Sequence, residues 1–261
     1  MMVYLILPLH NEQDRLGKFI DCLNLQTVMP FVIFVDNCSK NTCDCCNVIK
    51  YRGPYVCLRI PNSNYWAGSL KAGQDYACRA ERVFFSDIVA VMNNDTTFGP
   101  TFFERMVAHC QKGTIVASSE DPRRILWHKI WTRSFGVISV IYAWEPNALS
   151  NRAVFMMAED FAKVRFHPRL LPHYCSDYAW TFQAIKNGMK AYVPLNCDLR
   201  VDETTTGITE PKTIRELFSK RCPHNPIYYT IFVLMCAPWL WKIPNVVRVW
   251  GYALVRIWRM K

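Results

Sequence analysis

Three polar side chains, Asn93, Asn94 and Asp95, end the apolar run Ile88-Val89-Ala90-Val91-Met92. A carboxylate flanked by amide oxygens suits a hard divalent cation that keeps several waters and shares itself with phosphates. The same residues also suit a plain turn after a strand, because Asn and Asp both favour turns. A second carboxylate, Asp177, opens a stretch of helical periodicity from Tyr178 to Asn187 that Gly188 stops. Held at a helix start and aimed back at strand ends, Asp177 could take a proton as a general base; Ser176 or Asp177 could equally be a helix cap. A third, Asp36, is followed by Asn37 at the end of Phe31-Val32-Ile33-Phe34-Val35. It is placed to accept hydrogen bonds from a base or ribose, or to cap a following helix.

The stretch Asn62 to Gly73 carries Ala67, Gly68, Ser69, Ala72 and Gly73 around Trp66 and Lys71. Small residues there let a helix start lie close to a sheet and let a phosphate or sugar approach the backbone. The glycine spacing is neither that of a P-loop nor that of a dinucleotide fingerprint.

These residues need a scaffold that brings strand ends together. Val3 to Leu7, closed by Pro8 and followed by His10-Asn11-Glu12, reads as a first strand, and Glu12 to Leu25 has helical spacing. Phe31–Val35, Val56–Ile60 and Ile88–Met92 read as further strands, with the stretch Asn62 to Gly73 leading into a helix through Tyr76 and Ala77 and another helix over Thr101 to Gln111. Strand and helix in alternation, with polar residues at each strand end, predict a mostly parallel α/β sheet that binds ligands at its carboxyl edge. The span Ser118 to Arg169 is less regular. Its Trp127, Trp131, Tyr142 and Trp144 lie among Arg123, Arg124, Lys129 and Arg133, a mixture that serves a sugar platform or an ordinary core and surface.

The chain has 261 residues, 51% hydrophobic and 14% aromatic, which excludes a disordered chain. Nine Trp suggest that something beyond one core uses those rings. Twelve Cys with no leader-like segment point to free thiols in a reducing compartment. The cluster Cys38, Cys43, Cys45, Cys46 lacks paired C-x-x-C knuckles, so a structural zinc is disfavoured. Of the net charge of +10, the segment from Lys212 to Lys261 holds most, with nine basic residues against Glu216 alone. No zinc-finger spacing, basic-region heptad or RNA-binding signature accompanies it, so nucleic acid is not the expected partner. Ile227 to Trp241 is apolar but interrupted by Pro238 and short of the ~20 residues of a spanning helix. From Val246 to Trp258, Arg248 and Arg256, with Arg259 beyond, fall roughly on one helical face and Val247, Trp250, Leu254 and Trp258 elsewhere, the pattern of a helix lying in a membrane interface. A helix docked on the domain, or a self-pairing surface between copies, would carry the same pattern.

In their order and spacing, Leu7-Pro8 with Asn11-Glu12, Val35-Asp36-Asn37 with Ser39, Asn64 to Gly73, Met92 to Thr96, Ser176-Asp177-Tyr178 and Thr204-Thr205-Thr206-Gly207 resemble the family-2 inverting glycosyltransferases of the GT-A fold. The bacterial enzymes that build polysaccharide and lipid-linked glycans are the most similar. The resemblance runs from Val3 to about Gly207 and implies a GT-A nucleotide-diphospho-sugar transferase domain over residues 1–211, while the charge and periodicity beyond it predict a basic, Trp-rich, membrane-associating helical tail over 212–261. It implies a nucleotide-sugar pocket formed by Pro8, Leu9, Asn11, Glu12, Asp36, Asn37, Asn64, Trp66, Gly68, Lys71, Asn93 and Asn94. Asp95 would bind a divalent metal, Mg or Mn, in a variant of the family's Asp-x-Asp motif, and Asp177 would be the catalytic base. Where a second acidic residue is usual two positions on, this chain has Ala179, which leaves a catalytically impaired nucleotide-sugar-binding protein as the alternative. A glycan or lipid-linked acceptor and a peripheral place on the cytoplasmic face of a membrane complete the expectation.

Overall fold

The computed structural model describes residues 1–260 except 12, 38–49, 62–64, 80–83, 119–121, 128–138, 143–144, 196, 198 and 202–209; for 13–15, 122 and 139–142 it describes the backbone alone. Strand β1 (Val3–Leu9) leads through α1 (Gln13–Asn24) to β2 (Phe31–Asp36) and β3 (Tyr55–Arg59). Helix α2 (Tyr65–Arg79) then returns the chain to β4 (Ile88–Met92), on the other side of β1. All three pairings among β1, β2, β3 and β4 are parallel. Neighbouring strands whose connections run in opposite directions leave a crevice at their carboxyl ends, and here that crevice lies between β1 and β4.

Beyond β4 come β5 (Thr96–Phe98), α3 (Phe102–Ala108), β6 (Thr114–Ala117), β7 (Pro122–Leu126), β8 (Ser139–Tyr142), β9 (Ala148–Leu149) and β10 (Ala153–Met157). The sequence pattern does not single out β10, and it lies antiparallel between β4 and β6. With β11 (Lys190–Tyr192) parallel to β6, the seven-stranded order is β11-β6-β10-β4-β1-β2-β3. A small sheet β8-β7-β9 and the pair β5 with β12 (Leu199–Val201) lie apart from it.

Strand side chains alternate between the two faces. Leu5, Leu7, Val32, Phe34, Ala90 and Met92 pack on one face with α1 and α3, while Tyr4, Ile6, Ile33, Val35, Val89 and Val91 pack on the other with α2. Both faces being covered explains why these strands read as unbroken apolar runs. Pro8 does not close β1, which runs on to Leu9. Leu9 O accepts from Asn37 N, so the Leu9 backbone faces β2, and the missing N–H of Pro8 faces a side where β4 pairing has already ended at Ile6. Gly73 of α2 is required by close packing, since a Cβ there would lie 2.5 Å from Ile6 Cγ2.

The remaining helices are α4 (Ala158–Lys163), α5 (Ser176–Lys186), α6 (Ile214–Leu217), α7 (Pro226–Cys236) and α8 (Trp239–Arg259). Helix α5 starts at Ser176, so Asp177 sits inside its first turn. The residue at its N-cap is Cys175, with no side-chain cap bond, so neither Ser176 nor Asp177 serves as the cap. A third apolar cluster joins Ala179 and Phe182 of α5 to Trp127 and to Phe232 and Val233 of α7 and Val249 of α8. Pro238 separates α7 from α8, which begins earlier than the periodicity from Val246 suggests and carries Pro244 inside its second turn, where the missing N–H removes one i→i−4 bond from the helix ladder.

Candidate active site

A cleft of about 100 Å³ opens at the carboxyl ends of β1 and β2. Pro8, Leu9, His10 and Asn37 form its strand side, and Tyr65, Trp66 and Ser69 of α2 form another. His173 and Arg221, distant in sequence, complete it. His10 Nδ1 lies 2.8 Å from Asn37 O and therefore donates to it. Its Nε2 then accepts from Arg221 Nη2 at 2.8 Å and from Asn11 Nδ2 at 3.1 Å. With its amide oriented to satisfy both ends, Asn37 donates to Pro61 O at 2.9 Å and accepts from Tyr65 N at 3.1 Å. The end of β2 thus holds the start of α2. Ala67 N donates to Pro172 O at 3.0 Å, which ties the same helix start to the loop before Asp177.

The backbone is strained where these pieces meet. Among the described residues, the non-glycine positions with positive φ are Asn11 at 55°, Tyr65 at 51° and Cys175 at 65°. Two flank the cleft and the third sets the first turn of α5. Left-handed backbone in a bulky residue costs on the order of 1 kcal/mol or more and collects at working sites.

From the cleft, Trp66 Nε1 donates to Asn93 Oδ1 at 3.0 Å, and Thr96 Oγ1 donates to Asn93 O at 2.9 Å. Asn93 N in turn lies 3.4 Å from Arg152 O. Two buried amides stand beside this strand end. Asn94 Nδ2 and both side-chain atoms of Asn151 have no hydrogen-bond partner among the described residues. Buried polar atoms left open by the fold are costly, and a polar ligand would satisfy them.

Asp177 is half-buried, and desolvation pushes its carboxyl up to about 6 from 3.8. The backbone N–H groups of Tyr178 and Asp177 itself, then Arg152 and Arg123, pull in the other direction but do not cancel it. Arg152 therefore connects the two carboxylate sites: its carbonyl faces Asn93, and its charge acts on Asp177. Burial, with the charges of Arg221 and His10, pushes His173 down to about 4, so its imidazole is uncharged at neutral pH. Thr181, fully buried, fixes α5 by accepting from Leu149 N at 2.9 Å, while its one hydroxyl proton is shared between Asp177 O at 2.9 Å and Leu149 O at 3.1 Å.

The structure brings Pro8, Leu9, Asn37 and Trp66 into the cleft, with Asn11 at its rim and Asn93 one hydrogen bond away. Asp36 is the last residue of β2, 4% exposed, and its carbonyl accepts from Ile60 N. Gly68 is buried in the first turns of α2. Lys71 does not line the cleft; its ammonium pairs with Asp75 one turn on. Glu12 and Asn64 lie outside the described residues, as do Ser39, Cys38, Cys43, Cys45, Cys46, Trp131, Trp144 and Thr204 to Gly207. The sequence pattern did not assign a site role to His10, Tyr65, Asn151, Arg152, His173 or Arg221. Of these, only His10, beside the Asn11 motif, carried a local signal.

A metal fits the donor set in one way only. Among the described residues, no group of three His, Cys, Asp or Glu could hold an ion by itself. Asp95 would be the single carboxylate on a cation whose other ligands are waters and phosphates, as Mg or Mn accepts.

A mostly parallel sheet with its polar residues gathered at one switch point, and a small second sheet after β4, define a protein of the GT-A class. The chain belongs to glycosyl transferase family 2, whose family model matches residues 4–184. Many solved structures share its fold, two of them of S. aureus TarS. The structure of S. aureus TarS 1-349 superposes with a TM-score of 0.59 at 12% identity, covering 98% of this chain and 73% of that one. The structure of S. aureus TarS gives 0.58 at 13% identity, covering 98% of this chain and 54% of that one. No curated protein matches the sequence. Ala179, where the family usually has an acid, is 4% exposed and packed in the third apolar cluster, so its side chain belongs to the core.

Proposed function

We propose that the chain transfers a sugar from a nucleoside-diphosphate donor to a hydroxyl of a glycan or lipid-linked acceptor, with inversion at the anomeric carbon. The observation that carries this reading is Asp177, a carboxyl at a helix start with its pKa raised to about 6 and linked through Arg152 to the Asn93-Asn94-Asp95 strand end. A base poised near neutral pH is ionised in the cell yet basic enough to receive a proton in the transition state. In the transfer, the acceptor O–H gives its proton to Asp177 while its oxygen bonds the anomeric carbon. The bond to the diphosphate oxygen breaks on the opposite face, and the nucleoside diphosphate leaves with that electron pair.

The cleft residues position the donor. Asp36 and Asn37 take the nucleoside at the end of β2. Arg221 and Lys220, which lies 5.1 Å over the Tyr65 ring, offer positive charge to the diphosphate. Asn94 and Asn151 offer the sugar hydroxyls the hydrogen bonds that the fold leaves open. A Mg or Mn ion held by Asp95 would supply further positive charge to the departing diphosphate.

The test is a panel of nucleotide sugars with Mn or Mg, read by thermal shift and by slow donor hydrolysis. One donor is expected to stabilise the protein, with the shift lost on chelation and in Asp95→Ala. Stabilisation by a donor with no turnover under any condition would favour a nucleotide-sugar-binding protein.

A further inference from the structure

We propose that one face of α8 seats the protein on an anionic lipid bilayer, with the helix lying in the plane of the interface. Trp239, Leu240, Ile243, Val247, Trp250, Leu254 and Trp258 recur at intervals of mostly three and four, so they form a single stripe along a helix of 3.6 residues per turn. Six of them are exposed by 63% or more, Trp239 by 78% and Trp258 by 76%, while Trp250, exposed by 39%, donates to Thr230 Oγ1 and lies partly against the domain. The Trp239 and Trp258 rings alone present roughly 300 Å². They stand at opposite ends of the helix, and the other five side chains join them into one continuous stripe larger than the ~300–600 Å² of the largest apolar patch on a typical monomer.

The opposite face of α8 is already used. Asn245, Val249 and Ala253 are buried, and Asn245 Nδ2 donates to Trp127 O at 3.0 Å. Packing on the domain therefore consumes one side of the helix and leaves the stripe standing outward.

Charge decides the occupant. From Leu217 to Lys261 the sequence has no acidic residue. By helical position Lys242 falls about 60° from one edge of the stripe and Arg248 and Arg259 about 80–100° beyond the other, on the water side of a helix lying in the interface, where their charge adds to the attraction of anionic headgroups. A second copy of the chain would bring like charges together on this surface. A spanning orientation would carry Arg248 into the hydrocarbon, and no helix among the described residues is long and apolar enough to cross a membrane.

This surface stands whether or not the chain moves sugars. Its use in presenting a lipid-anchored acceptor to Asp177 rests on the function proposed above.

The experiment is sedimentation of the full chain with phosphatidylcholine vesicles, with and without a minority of phosphatidylglycerol, together with tryptophan emission. Binding and a blue shift are expected on the anionic vesicles, and both should be lost in the double variant Leu254→Glu, Trp258→Glu. Arg259→Glu should weaken binding by about fivefold or more per unit of charge removed, and added salt should do the same. Donor hydrolysis in solution should be unchanged in both variants, which separates a failed surface from a failed enzyme. Equal pelleting with and without vesicles would overturn the proposal, as would undiminished binding of the double variant. So would a concentration-dependent dimer in sedimentation equilibrium that the double variant abolishes, because the stripe would then be a contact between copies.

Discussion

His10 and Arg221, 211 positions apart, meet at 2.8 Å between Nε2 and Nη2. The contact brings a cation from beyond residue 211 into a cleft otherwise built from the first strands and α2. If Arg221 steadies the donor diphosphate, Arg221→Ala should raise the donor KM about tenfold or more, in keeping with a charge-assisted hydrogen bond. Arg221→Lys should recover part of the loss. Steady-state kinetics over a donor titration decide it, and a change in kcat alone would speak against this role.

The half-buried carboxyl of Asp177 also bears on stability. A carboxyl raised to about 6 in the fold from 3.8 contributes stability that is fully present below 3.8 and lost as pH rises through 6. At pH 7.5 the ionised group therefore burdens the fold by up to about 3 kcal/mol. Asp177→Asn should melt higher than wild type at pH 7.5, and the difference should vanish near pH 4. His173 contributes equally to both proteins and cancels. Paired melting curves at the two pH values check this; a lower melting temperature for the variant at pH 7.5 would contradict it.

The same ionisation should shape catalysis. With Asp177 as base, kcat/KM should rise with pH through about 6 and level off above it. Arg152→Gln removes a charge that holds the carboxyl down, so it should shift that limb to higher pH. A pH profile of both proteins on the donor found in the screen reads the shift.

Thr181 is where the position of α5 is fixed. Thr181→Val keeps the volume but leaves Leu149 N–H buried without its acceptor, a cost of about 1–3 kcal/mol. Turnover should fall with stability, and Thr181→Ser should restore both. Urea unfolding alongside initial rates makes the comparison.

The half of the fold from β1 to β4 was legible in the sequence because its strands are buried on both faces and end in polar residues. Asp177 and Asp95 stand out in the sequence for the same reason, each being a carboxylate at the boundary of a periodic element, and their proposed roles await the tests above. Strand β10 was not, because Ala153 to Met157 runs directly into α4 and nothing local marks its antiparallel place between β4 and β6. Arg221, His173 and Asn151 were not legible either: each acquires its role from a partner far away in sequence. Lys71 shows the converse, since a Lys after small residues invites a phosphate, and one turn along α2 Asp75 claims it instead.

As a general base, Asp177 would act on the acceptor proton and leave donor binding to the cleft. Donor affinity and transfer rate should therefore be measured together in Asp177→Asn. Affinity within about twofold of wild type, with turnover reduced by about 10²–10⁴, is the expected result for loss of a general base. Turnover near the wild-type rate in that variant would contradict the account.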